Sequence, residues 1–185
     1  QKTTIQGSDL TVFAVSASGS GSITGGGAGT VTDATDQDYE VAPGTYSVAE
    51  TVPSGWDKTD DTCQNVSVGA GETKTCLFTN TKRGHVIVIK HVINDDFGIS
   101  TASDFTMTIN GVSAVGGNSF PGAESPGTDK AFANFGSYNV TESGPGGYQA
   151  TYSSDCTGSI APGETKTCTI TNDDFTGRMT GGGSV

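Results

Sequence analysis

The chain has 185 residues, with 9 basic against 20 acidic side chains, a net charge of −11 and a sequence pI of about 4.3. Hydrophobic residues make up 32%, charged residues 16%, and 28 positions are glycine; that is too little charge for typical disorder and too little apolar content for one large core. A basic nucleic-acid footprint and a polybasic membrane patch are both missing, and no run of 18 apolar residues is present to cross a bilayer as a helix.

Read in chain order, the segments repeat. Lys2–Ile5 (KTTI) opens the chain and SDLTVFAVSAS follows at 8–18. Residues 44–80 then run GTYSVAETVPSGWDKTDDTCQNVSVGAGETKTCLFTN. From 83 the order starts again: RGHVIVIKHVIND, then SDFTMTINGVSA at 103–114, then GSYNVTESGPGGYQATYSSDCTGSIAPGETKTCTITN at 136–172. Both copies share Tyr-x-Val-x-Glu, a Pro-x-Gly-aromatic turn, a Cys, Gly-Glu-Thr-Lys-Thr-Cys and Thr-Asn. A self-similarity of this length means two copies of one module, with Lys2 and Lys90 setting a period of 88 residues. The boundaries follow: module one over 1–82, module two over 83–174, and 175–185 as a linker or the opening of a further segment.

The periodicity is that of strands. Val86, Val88, Lys90 and Val92 fall on one face and Ile87, Ile89 and Ile93 on the other, as in a strand covered on both sides. Tyr46, Val48 and Glu50 alternate with other residues, as do Tyr138, Val140 and Glu142. Sustained helical periodicity is absent, and Val-, Thr-, Tyr- and Phe-rich runs between Gly and Pro turns predict an all-β chain of two tandem Ig-like β-sandwich modules. Module two opens on a complete apolar strand, His85–Ile89, whereas module one starts one residue before its lysine. The missing half-strand is therefore expected from preceding residues of a longer chain or, less favoured, from a neighbouring chain, with the Gly-rich tail Met179–Val185 as one donor.

Cysteines fall as Cys63 and Cys76, then Cys156 and Cys168, 13 and 12 residues apart. Four cysteines permit three connectivities, and the matched spacings favour pairing within each cluster. A zinc site is the competing reading, but the short Cys-x-x-Cys knuckles it prefers are absent. Two disulfides point to an oxidising, extracellular setting, each stabilising its module by roughly 3 kcal/mol in the chain-entropy picture.

One polar trio recurs at matched places: Lys2, Glu50 and Asn80 in module one; Lys90, Glu142 and Asn172 in module two. Strand alternation puts each in an apolar row, where a lone charge is costly. The opening Val-x-Val-x-Lys, the central Tyr-x-Val-x-Glu box and the closing Phe/Ile-Thr-Asn resemble SpaA-like, Cna B-type prealbumin-fold domains of microbial surface proteins and pili. That resemblance implies an isopeptide bond from the first-strand lysine to the last-strand asparagine, assisted by the glutamate. Lys90, Glu142 and Asn172 match all three motif positions, as do Glu50 and Asn80; Lys2 matches without its Val-x-Val lead-in. Burial disfavours an ammonium and a carboxylate alike, so a dry site supplies a neutral nucleophile and a proton shuttle. The competing reading is a buried Lys–Glu ion pair beside a hydrogen-bonded Asn. Lys74 and Lys166 lie six residues before the asparagine of their own strand, ~20 Å away, too far to donate.

Other signals are weaker. DATDQDYE (33–40), Asn94-Asp95-Asp96 and Asp173-Asp174 cluster oxygen ligands without the spacing of a calcium loop, so solvated acidic turns are expected and no metal site is assigned. His85 and His91 lie too far apart for one metal. Asn65 and Asn139 sit in glycosylation sequons. The TGGG runs at 24–27 and 180–183 lack the Gly-Lys-Ser/Thr of a phosphate loop, and no nucleophile triad is present. The expected function is therefore not enzymatic beyond a single self-crosslinking step, and needs no cofactor. It is a structural segment of an extracellular fibre, stalk or pilus, partnered by copies of itself or by further repeats. The alternative is a ligand-binding adhesin module.

Overall fold

A computed structural model describes residues 1–5 and 9–175; the tail proposed as a strand donor lies outside the described residues. Strands account for nearly all regular structure. The helical turns among the described residues are two 3-10 turns, Ala102–Asp104 and Ser154–Cys156, and no helix is long and apolar enough to cross a membrane. The chain divides into two compact units between Arg83 and Gly84.

Among the described residues the first unit holds seven strands: β1 (Lys2–Ile5), β2 (Phe13–Gly19), β3 (Ala28–Val31), β4 (Gly44–Thr51), β5 (Trp56–Asp61), β6 (Val66–Val68) and β7 (Phe78–Lys82). They form a sheet in the order β1-β7-β5 and a sheet in the order β3-β2-β4-β6. The second unit holds eight: β8 (Gly84–Ile93), β9 (Thr106–Asn110), β10 (Ser119–Pro121), β11 (Thr128–Phe132), β12 (Gly136–Ser143), β13 (Tyr148–Tyr152), β14 (Thr157–Ile160) and β15 (Thr165–Asp174). Their orders are β11-β8-β15-β13 and β10-β9-β12-β14. Each unit is an all-β sandwich, as the alternating pattern requires: one face of each sheet supplies the core and the other meets solvent.

The two copies share one topology. In each, the opening strand runs parallel to the closing one: Lys2 pairs with Phe78, and Lys90 with Ile170. In each, the Tyr-x-Val-x-Glu strand lies in the facing sheet, where Glu50 pairs with Val15 and Glu142 with Met107. That register makes Val15 the counterpart of Met107 and Phe13 the counterpart of Phe105. The extra residues of module one thus lie between Asp9 and Phe13.

The cores differ in size. Module two buries a contiguous cluster of 14 residues, including Val86, Val88, Phe105, Met107, Phe132, Tyr138 and Ile170. The corresponding cluster in module one has six: Phe13, Val15, Val31, Trp56, Cys63 and Phe78. β8 is inward at Val86, Val88 and Lys90, while Ile87 and Ile89 on its other face are only half-buried. The expected cover on both faces is therefore complete on one face alone. The cysteines pair as Cys63–Cys76 and Cys156–Cys168, and no free thiol remains. Each bridge ties a strand-edge loop to the closing strand, or to the residues just before it, beside the core.

Candidate functional site: a buried Lys–Glu–Asn trio in each module

Strand pairing brings the three polar residues together. Lys2 and Asn80 sit on neighbouring parallel strands, Asn80 opposite Thr4, two positions beyond the partner of Lys2. Alternation keeps Lys2, Thr4 and Asn80 on the inner face, and all three are buried. Glu50 reaches across from the facing sheet and puts Oε1 2.9 Å from Lys2 Nζ, with neither side chain exposed to solvent. Module two repeats this with Lys90 and Asn172 on β8 and β15, and Glu142 Oε2 3.5 Å from Lys90 Nζ. Lys90, with its side chain fully enclosed, also donates to the backbone carbonyls of His91 at 3.2 Å and Ile170 at 3.4 Å.

These groups are poorly satisfied for buried polar atoms. Despite the close contact, Lys2 Nζ and both Glu50 oxygens lack a hydrogen bond of regular geometry, and so do Oδ1 and Nδ2 of Asn80. In module two the same holds for Glu142 Oε2 and Asn172 Oδ1. Native interiors leave few such atoms unpaired, so their concentration at two matched places calls for an explanation. Burial pushes both lysines below their usual value, against the opposing pull of Glu50 and Glu142. Such an amine surrenders its proton more readily than a surface lysine.

Each lysine also lies under an aromatic ring. Lys2 Nζ is 3.8 Å from the centroid of Phe13, and Lys90 Nζ is 4.6 Å from that of Phe105. Each ring is braced edge-on by the aromatic of the Pro-x-Gly-aromatic turn: Phe13 by Trp56 at 5.4 Å, Phe105 by Tyr148 at 5.5 Å. Sequence reasoning missed this column. The recurring turn aromatic was a visible signal for it, but the Phe13–Phe105 correspondence was hidden by the insertion after Asp9.

The remaining candidates sit apart from the trio. Lys74 and Lys166 pair locally with Glu72 and Glu164. His85 meets Asp129, and His91 meets Glu124, each at 2.9 Å. Asn65 and Asn139 are both exposed. In the 33–40 stretch, Asp33 accepts from the backbone and hydroxyl of Thr4, a structural role. Asp95, Asp96 and Asp174 converge within 4.8 Å, an association the sequence did not show. Both Asp174 oxygens are already taken by backbone N–H groups of Asp95, Asp96 and Gly98, so this carboxylate organises a turn.

The lysine shifts give a pH test. A variant with both asparagines replaced by alanine keeps two titratable buried amines, whose folded pKa lies below the 10.5 of the unfolded chain. The unfolded chain then binds more protons between those values, so stability should rise with pH through that window and level off above 10.5. A lysine held as an amide contributes no such slope. Denaturation midpoints across alkaline pH, compared between variant and parent, measure the difference.

Comparison with known proteins bears on the fold. The profile of one family, described as a prealbumin-like fold domain, matches the chain twice, over residues 2–86 and 81–175. No curated protein is significantly similar. Among solved structures, the T3.2 major pilin of Streptococcus pyogenes is 14% identical, with 94% of this chain and 96% of that one covered and a TM-score of 0.35. The T-13 major pilin of the same species is 14% identical, over 94% and 95%, at 0.29. A C-terminal fragment of the pilus adhesin SpaC of Lactobacillus rhamnosus GG is 15% identical, over 95% of each chain, at 0.30. At these values the three structures carry no argument about function.

Proposed function

The chain belongs to the prealbumin-like fold domain family, in two tandem copies, and on that premise we propose that it is a structural segment of an extracellular fibre, stalk or pilus. In this reading each module is locked by its disulfide and by a Lys–Asn isopeptide bond. The observation that carries it is the duplicated trio: a buried amine, a carboxyl group within 3.5 Å of it or closer, and an asparagine on the adjacent strand with unpaired amide atoms.

The chemistry balances within each trio. The ammonium proton passes to the glutamate, leaving a neutral Nζ and a neutral acid. Nζ attacks Cγ of the asparagine while the acid hydrogen-bonds Oδ1 and stabilises the developing oxyanion. The glutamate moves a proton from the attacking nitrogen to Nδ2, the Cγ–Nδ2 bond breaks, and ammonia leaves. Nothing is turned over, because nucleophile and electrophile belong to the product. The aromatic ring over each lysine keeps water out and the amine neutral. A closed bond between opening and closing strands carries tension along the first and last strands directly, which suits a fibre under pull. The disulfides suit an oxidising compartment outside the cell.

Intact mass tests the proposal. With both trios reacted, the protein should weigh two ammonia molecules less than its disulfide-bonded sequence, and Glu142→Ala should restore one of them. An unmodified mass in the parent would leave two buried ion pairs and no crosslink. The adhesin reading makes no demand on this mass.

A further inference from the structure

A second carboxylate stands beside each trio. In module two, Glu124 Oε1 accepts the backbone N–H of Val92 at 2.9 Å, and its Oε2 meets Nδ1 of His91 at 2.9 Å. In module one, Asp33 accepts both the backbone N–H and the hydroxyl of Thr4. Val92 and Thr4 each follow their lysine by two residues, so the same backbone donor is held in both copies. The two acids are also equivalent in the facing sheet. Val31 pairs with Phe13, Gly122 donates to the carbonyl of Phe105 at 2.7 Å, and each acid comes two residues later.

The place of that donor bears directly on the lysine and the asparagine. Thr4 is the ladder partner of Asn80, and Val92 that of Asn172. Lysine and asparagine therefore sit diagonally across one parallel ladder, and each acid grips the residue that sets the diagonal. In module two the surrounding edge serves the same end. β11 covers β8 only as far as Val88; beyond it the N–H of Lys90 goes to the carbonyl of Ala123 at 2.8 Å, and that of Val92 to Glu124. Gly122 packs so closely on the stem of Lys90 that a Cβ there would lie 2.9 Å from the lysine's Cβ and Cγ. Residues 122–124 thus close on the lysine from the edge opposite β15, where a carboxylate supplies the acceptor that a neighbouring strand would otherwise provide.

We propose that Asp33 and Glu124 are positioning residues for the lysine–asparagine reaction: each pins the opening strand, and with it the lysine amine, in the register from which Cγ of the asparagine is reached. The inference rests on the crosslinking proposed above for the two trios. Neither acid touches the reacting atoms; each acts through the backbone N–H it holds. Without that bond the opening strand is fixed at this point from one edge alone, and Nζ loses its set approach to Cγ, a misplacement that is costly in rate. An amide oxygen can accept the same N–H, so glutamine at 124 and asparagine at 33 keep the clamp.

The test follows ammonia loss from the full chain by intact mass, sampled over time after cell-free synthesis under disulfide-forming conditions, with peptide mapping to assign each loss to its module. Glu124→Ala should slow the loss from module two at least about 10-fold and leave that from module one unchanged. Glu124→Gln should restore the parent rate. Asp33→Ala and Asp33→Asn should repeat this pair of results in module one, so a Glu124→Ala chain that does not fold still leaves one trio to read. Equal rates in the parent and the folded alanine variants overturn the proposal. So do glutamine and asparagine variants as slow as the alanine ones, because their amides still accept the strand N–H. A parent that keeps both ammonia molecules overturns the crosslinking itself and this inference with it, whereas a parent that loses both beside equally fast alanine variants overturns this inference alone.

Discussion

Replacing Asn172 with alanine, which removes the proposed Lys90–Asn172 bond, should lower the stability of module two by about 4–5 kcal/mol, the chain-entropy value for closing a loop the length of Lys90 to Asn172. For a module of this size that corresponds to a fall of roughly 20–30 °C in its melting temperature. The disulfide cannot compensate, because Cys156 and Cys168 close a loop of sequence separation 12 inside the larger one. The disulfide and the proposed bond act on different parts of the unfolded ensemble. Lys90→Met should cost a similar amount, and the Lys90→Met/Asn172→Ala double variant little more than either single change, because both remove the same bond. Differential scanning calorimetry should show the module-two transition moving while that of module one stays. A shift for Asn172→Ala no larger than that of an ordinary buried side chain, together with additive single effects, would sink the crosslink and leave the ion pair as the only link.

Phe105→Ala should have an effect of comparable size through a different route. Phe105 is fully buried in the module-two cluster, and truncating a core phenylalanine costs about 3–5 kcal/mol. It also covers Lys90 Nζ at 4.6 Å and is braced by Tyr148. Removing the ring admits water to the amine, which then holds its proton and loses its nucleophilicity. The variant should therefore keep the ammonia that the proposed reaction releases from module two. Phe105→Leu restores an apolar cover of similar bulk and should recover the crosslink with only a modest loss of stability. Should folded Phe105→Ala protein lose the ammonia as completely as the parent, the ring would be a core residue with no part in keeping the amine dry. Trp56 and Phe13 give the parallel experiment in module one, where Nζ lies closer still to the ring.

Much of this protein was legible in its sequence, for physical reasons that act locally. Side-chain alternation along Tyr46–Glu50 and Tyr138–Glu142 is a property of any extended strand, so the inner faces could be read without a structure. The duplication of Gly-Glu-Thr-Lys-Thr-Cys and Thr-Asn revealed the two modules. The same alternation placed Lys90 in line with Val86 and Val88, and the structure buries all three. What alternation cannot specify is the partner across a sandwich or the residue count between strands. The pairings of Glu50 with Val15 and of Glu142 with Met107 were needed to see that Phe13 stands where Phe105 does. The column of lysine, ring and turn aromatic draws on three segments distant in sequence, and so became visible only in three dimensions.

The sequence by itself determined which residues face inward, because strand periodicity and the apolar pattern are written along the chain. Only the tertiary structure decided which of those inward residues meet. Lys90 and Glu142 lie 52 residues apart in the chain, yet the sandwich brings their side chains to 3.5 Å. The packing of one sheet on the other sets that distance, and no pattern along a single strand encodes it.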